Sequence, residues 1–201
     1  MRMTMTDKQQ ETTFDFGDGK GPVPAKKHPN GGGWVANTAL VARTAFVGPR
    51  ASVGGEAYVG KAARIADDAR VWGSATVTDR AVVFEKARVA GNARVSGDAR
   101  ISGAVFLSDN VRVSGGAEIF GEMELGGADT ATRTPLSITG PFPPVTVSDH
   151  SITAGCQTHS PSMWKQRGAA IIKANGRTLA EAKYLAPIVS YLADAHGCVD
   201  P

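Results

Sequence analysis

The sequence predicts an all-β solenoid, on three observations: an aliphatic residue at every sixth position, a small residue four places after each, and glycine or aspartate at the corners between. Starting at Val35, the positions Val41, Val47, Val53, Val59, Ile65, Val71, Val77, Val83, Val89, Val95, Ile101, Leu107, Val113, Ile119 and Leu125 step by six without a break. The small partners run at the same interval from Ala39 to Ala99, widen to Val105 and Val111, return to Ala117 and end at Met123. Strand side chains alternate, so each small residue shares a face with the aliphatic residue two places later. The residue between them faces out, and there the chain carries Arg64, Arg70, Thr76, Arg88, Arg94, Arg100 and Arg112. Two residues after the aliphatic position come Gly55, Gly73, Gly91, Gly97, Gly103, Gly115 or Gly121, with Asp67, Asp79, Asp109 or Asn37 at other corners. These types tolerate positive φ at low cost. An α-helix is excluded, because a period of six keeps no helical face and the corner glycines would break it.

Around this repeat the chain divides into an arm at 1–33, the solenoid at 34–127, a Pro/Gly/Thr linker at 128–146, and a hairpin with a helical cap at 147–201. In the arm, Thr13-Phe14-Asp15-Phe16 suits one strand and Gly17-Asp18-Gly19-Lys20-Gly21 a turn, after which Lys26-Lys27-His28-Pro29-Asn30 leads into the first coil. A solenoid must cover its end rungs, and Trp34 at the mouth suits that contact. Pro141-Phe142-Pro143-Pro144 reads as a stiff linker. Val145-Thr146-Val147 and Ser151-Ile152-Thr153 suit a hairpin around Asp149-His150. Ser160-Pro161 is a helix start, and Thr178-Leu179-Ala180-Glu181 a capping box opening a second helix that Gly197 ends. Leu185, Ile188, Val189 and Leu192 form its apolar stripe, expected to fold back on the solenoid or pack on a neighbouring subunit, with a kink at Pro187.

Units such as Ala93-Arg94-Val95-Ser96-Gly97-Asp98 resemble the hexapeptide repeat of left-handed parallel β-helices. That resemblance implies a left-handed coil, three hexapeptides to each triangular turn, and about five coils stacked at ~4.8 Å per rung into a prism ~25 Å tall. Three further strings are similar to hexapeptide-repeat proteins of bacterial, phage and prophage genomes whose role is not established. They are Asn30-Gly31-Gly32-Gly33-Trp34-Val35, Thr132-Arg133-Thr134-Pro135-Leu136 and Gly155-Cys156-Gln157-Thr158-His159-Ser160.

The totals narrow the function classes. At 201 residues the chain holds one moderate domain with appendages. A net charge of +3 is too small to announce nucleic acid, and no stretch approaches ~18 consecutive apolar residues, so neither nucleic acid nor membrane is an expected partner. The first thirteen residues lack the apolar core of a secretory signal, and two cysteines build no disulfide framework. The expected location is the cytoplasm, or a virion if the gene belongs to a phage.

Three chemistries follow from the candidate residues. Proteins with left-handed β-helices are often acyltransferases that use a coil histidine as general base, because its pKa lies near working pH. Here His28, His150, His159 and His196 all lie outside the repeat. An acetyl-CoA-dependent enzyme would therefore draw its base, His150 or His159, from the tail. A metal-stabilised binding module would use Cys156-x-x-His159 with His150 or Cys198 around zinc. Arginine lanes, Arg70 under Arg88 and Arg94 under Arg112, offer anion binding, but the balance of eleven basic and ten acidic residues over 34–126 reads first as a solvated surface. Exposed apolar residues point elsewhere: Phe46, Val82, Phe84 and Phe120 share one side, and Trp34, Trp72 and Phe106 another. The expectation is a non-catalytic scaffold or recognition protein, phage structural or accessory in type and without a cofactor. It would act as a homo-oligomer, with the trimer implied by the resemblance, and could hold another protein through its cap.

Overall fold

Strands of only two residues are what this repeat allows, since each has room for one outward residue and one inward aliphatic before the next corner. The computed structural model describes residues 12–127, 130–138, 145–155 and 157–200. After the arm strands β1 (Thr13–Asp15) and β2 (Pro22–Lys27), short strands β3 (Trp34–Ala36) through β19 (Thr130–Ala131) follow at six-residue intervals. Each strand from β3 to β16 pairs in parallel with the strand 18 residues on, as Arg94 with Arg112 and Val95 with Val113. Three walls result. The first stacks Val35, Val53, Val71, Val89, Leu107 and Leu125. The second stacks Val41, Val59, Val77, Val95, Val113 and Ala131. The third stacks Val47, Ile65, Val83, Ile101 and Ile119. The solenoid makes about five turns. Its interior is a column of alanines and aliphatics almost wholly removed from water, a continuous apolar core held by backbone ladders on three sides.

The corners explain the acids as well as the glycines. Gly97 lies at φ 68, and a Cβ there would meet the Gly115 carbonyl oxygen at 2.8 Å. Where an acid occupies the corner, its carboxylate accepts from the corner N–H one rung on. Gly97 N–H donates to Asp79 Oδ2 (3.1 Å), Gly103 N–H to Glu85 Oε2 (2.7 Å) and Gly127 N–H to Asp109 Oδ2 (3.0 Å). Lys61 (φ 53) and Glu85 (φ 58) are left-handed corners that residue type did not announce, whereas Asn37 is not in that region. Ion pairs span the same rungs. Arg80 grips Asp98 with Nε at 2.6 Å and Nη2 at 2.7 Å, and Lys61 pairs with Asp79, which holds the Asp79 carboxyl below its ordinary value.

The arm caps the first rung. Strand β2, not a simple lead-in, runs antiparallel to both β1 and β3, placing Lys27 opposite Trp34. Phe14 stacks on Trp34 at 4.8 Å between ring centroids, and Phe16 is buried over Gly54.

At the other end, seven of the eleven described residues in the tract assigned to a linker lie in strands. Strand β19 carries the second wall one rung beyond Val113. Strand β20 (Leu136–Ile138) opens a four-stranded antiparallel sheet with β21 (Val145–Val147), β22 (Ile152–Ala154) and β23 (Gln157–His159). The Pro141-Phe142-Pro143-Pro144 string lies outside the described residues. Helices α1 (Pro161–Ala174) and α2 (Leu179–His196) follow, with Ser160 and Thr178 as N-caps, a complete Thr178–Glu181 capping box, and Gly197 at φ 70 closing α2. Helix α2 passes Pro187 without interruption.

This cap has its own core, in which Trp164 is buried and donates from Nε1 to the Ile152 carbonyl at 2.8 Å. The buried stripe of α2 is Ala182, Leu185, Val189 and Ala193. Leu185 and Val189, expected at an intermolecular contact, are therefore core, because α1 and the cap sheet cover that side of the helix. Leu192 is half-buried against the same core, and Ile188 faces out. Among the described residues no helix is long and apolar enough to cross a membrane.

Candidate functional site

The three walls carry different outward chemistry. On the third, Phe46, Arg64, Val82, Arg100 and Glu118 alternate up one column. Arginine stems lie over the rings: the Arg64 guanidinium carbon is 4.4 Å from the Phe46 centroid, and that of Arg100 is 5.9 Å from Phe84. A guanidinium on a ring face covers apolar surface while keeping its charge in water. Phe46, Val82 and Phe84 are thereby half-buried within the chain, and only Phe120, at the cap end, is largely bare at 61 % exposure. On the first wall Trp72 stacks on Phe106 with centroids 6.0 Å apart, and Arg88 lies 4.9 Å over Phe106.

The arginine lanes form in the expected register, but the two pairs differ. In the Arg70–Arg88 lane, Arg88 covers Phe106 and Arg70 reaches the arm turn, where a Cβ on Gly17 would sit 2.7 Å from its Nη1. Arg94 and Arg112, on the second wall, line a shallow cleft with Ser74, Thr76, Asn92 and Asn110, and no described acid pairs with either. That lane keeps two guanidinium groups free for an oxyanion.

The described tail residues each make contacts of their own. His150 Nδ1 lies 3.1 Å from the Val199 carbonyl oxygen, while the His159 ring stands edge-on to Trp164 with centroids 5.7 Å apart. Cys198 is buried, its Sγ donating to the Ser151 carbonyl. Cys156 lies outside the described residues. Among the described residues no three His, Cys, Asp or Glu side chains converge as a metal site. His28 is buried at the mouth of the first coil, Nδ1 3.1 Å from the Asn30 carbonyl oxygen, on the arm side and far in sequence from the other three.

The structure adds a joint between coil and cap built on Asp149, which is 6 % exposed. Its carboxylate accepts from Thr132 N–H and Thr132 Oγ1, both at 2.7 Å, and from Arg133 Nε at 3.3 Å. Its N–H donates to the Thr130 carbonyl, and its own carbonyl receives the Val199 N–H. Arg133 also reaches the Gly197 carbonyl at 2.8 Å. His196 sits over this joint with Nε2 buried and unpartnered; burial, then the nearby Arg133 charge, pushes its pKa below the ordinary value, while Asp149 opposes. Sequence reading placed Asp149 in the hairpin turn, but nothing local marks Thr132 and Arg133 as its partners. The cap also holds an apolar cavity of about 170 Å³ between Trp164, Ile172, Leu185 and Val189, rimmed by Arg177 and Asn175.

No family model, curated protein or solved structure matches the chain. The arrangement itself consists of flat ladder walls, an arginine pair with no described acid partner, and a cap seated on the coil through Asp149.

Proposed function

We propose that the protein is a non-catalytic scaffold or recognition module that works as a homo-oligomer, an accessory part of a bacterial or phage assembly. The observation that carries this reading is the third wall, a flat ladder surface whose one unlidded aromatic, Phe120, continues the column of Phe84 at the cap end. A rigid face with a bare aromatic anchor is suited to burial against another copy. Three walls and a uniform cross-section favour three copies, each lending one wall. The remaining faces and the cap are then free to present a constant surface to a partner.

Light scattering on purified full-length protein tests this directly. The expected mass is that of three chains, falling to smaller species with Phe120→Glu while the far-ultraviolet spectrum stays unchanged. A monomer at every concentration for the unaltered chain overturns the reading. So does transfer of acetyl groups from acetyl-CoA to an acceptor that is lost in His150→Ala or His159→Ala, since the protein would then be an enzyme.

A further inference from the structure

Several cations of the coil are matched within the chain. Four have an acid one rung on: Arg50 with Asp68, Lys61 with Asp79, Arg80 with Asp98 and Arg100 with Glu118. Arg64 and Arg88 lie over the rings of Phe46 and Phe106. Among the described residues Arg94 and Arg112 have neither kind of partner, although they stand directly opposite each other on neighbouring strands of the second wall. Like charges placed opposite one another destabilise a strand pair. The coil nevertheless sets these two side by side.

What surrounds them is a set of hydrogen-bond donors. Asn92 and Asn110 stand two residues before the arginines on the same two rungs. Asn92 Nδ2 donates to Asn110 Oδ1 at 3.3 Å, which leaves Asn110 Nδ2 without an acceptor among the described residues. Ser74 and Thr76 extend the cleft one rung toward the arm with two hydroxyls, and its volume is about 330 Å³. Among the described residues no carboxylate lines it. Acids nearby are engaged elsewhere: Asp109 accepts from Gly127 N–H at 3.0 Å, and Asp98 is gripped by Arg80. Glu56, one rung before Ser74, lies outside the lining.

We infer that this cleft on the second wall binds a tetrahedral oxyanion with two negative charges, a phosphate or sulfate group, between the Arg94 and Arg112 guanidinium groups. Rungs lie ~4.8 Å apart, so both side chains reach oxygens of one such group. Each guanidinium is a planar fork of donors that matches paired anion oxygens. An anion there turns two opposed charges into a bridge, and Asn110 supplies a neutral donor on the same rung as Arg112. The hydroxyls of Ser74 and Thr76 lie where the body of a phosphate ester would continue. Both arginines are exposed, so the free ion is expected to bind at about millimolar strength. The site is on a different wall from the one proposed for self-association and does not rest on that reading.

In the experiment, full-length protein is titrated calorimetrically with inorganic phosphate at a pH where the ion is doubly charged, ionic strength being held with sodium chloride. Inorganic sulfate and glycerol phosphate are run beside it. A single saturable site per chain is expected, and Arg94→Gln or Arg112→Gln should weaken it at least about tenfold. Arg64→Gln, on the third wall, should leave the affinity within about twofold. Phe120→Glu should leave it unchanged, which separates failure of this inference from failure of the wall contact. Far-ultraviolet spectra of the arginine variants should match that of the unaltered chain, since these side chains are exposed. Tighter binding of glycerol phosphate than of inorganic phosphate supports the site with an ester as its ligand, and the reverse order supports it with the free ion. No saturable binding of any of the three anions below about 20 mM overturns the inference. Equal loss in Arg64→Gln, or binding that survives Arg94→Gln combined with Arg112→Gln, overturns it equally.

Discussion

Replacing Ile101 by alanine should cost about 4 kcal/mol of coil stability, and the value follows from where the side chain sits. Ile101 is fully buried, in register with Val83 on one rung and Ile119 on the next. Removing three carbons gives up about 2.4 kcal/mol of transfer free energy, at ~0.8 kcal/mol per methylene. The space left is about 80 Å³, which at ~24 cal/mol per Å³ adds about 2 kcal/mol if the surroundings do not relax. They have little freedom to do so. The Ile101 carbonyl takes the Phe84 N–H and the Ile119 carbonyl takes the Ser102 N–H, both at 2.9 Å, so the ladder fixes each wall at the spacing its neighbours set. Guanidinium unfolding followed by circular dichroism measures the loss. Arg100→Ala, one residue away but facing out, should change stability by less than about 1 kcal/mol, since its ion pair with Glu118 is solvent-exposed. A cost below about 1.5 kcal/mol for Ile101→Ala, or an equal cost for Arg100→Ala, would refute the assignment of inward and outward positions.

The corner geometry separates two glycines. Gly121→Ala, at φ 86 with no atom within 4 Å of the new Cβ, should cost about 1–2 kcal/mol of backbone strain. Gly91→Ala, at φ 63 with the Asp109 backbone nitrogen at 2.7 Å, should cost at least about 2 kcal/mol more in the same denaturant assay, because backbone must move. At the joint, Asp149→Ala leaves Thr132 N–H and Arg133 without their acceptor and should loosen the cap by about 2–3 kcal/mol. Hydrogen exchange should then quicken in α1 and α2 while amides of the coil keep their protection. For His196, a pKa lowered in the fold means that the unfolded chain takes up the proton first. Cap stability is therefore full above the ordinary histidine value of 6.5 and falls as pH drops through and below it. Thermal melts across that range should show the slope, and His196→Asn should flatten it.

The coil was legible because its one determining contact repeats: Val77 lies on Val95 for the same reason that Val95 lies on Val113, and any six-residue window shows the rule. The helix ends were legible too, since Ser160, Thr178 and Gly197 act through bonds to residues three or four places away. What escaped depends on partners distant in sequence. Strand β20, Leu136-Ser137-Ile138, is too short for its alternation to stand out and is defined by pairing with β21. Asp149 is an ordinary turn residue until Thr132 and Arg133 are brought to it. Glu85 and Lys61 at left-handed corners defy residue preference because neighbours hold them there. Glu85 caps the Gly103 N–H above, and Lys61 pairs with Asp79. The outward aromatics were read as bare; the 18-residue register used for the arginine lanes also sets Arg64 beside Phe46, but that register does not say that the guanidinium lies over the ring.

Closure of the coil every 18 residues also constrains how this chain can change length. An inserted or deleted block of that size slides one end along the axis and leaves its bearing unaltered. A block of six swings the cap by about a third of a turn onto another wall. A block that is not a multiple of six turns valines outward and corner residues inward for every later rung. Lineages derived from this chain should therefore differ in whole modules, with bore constant and height the adjustable quantity.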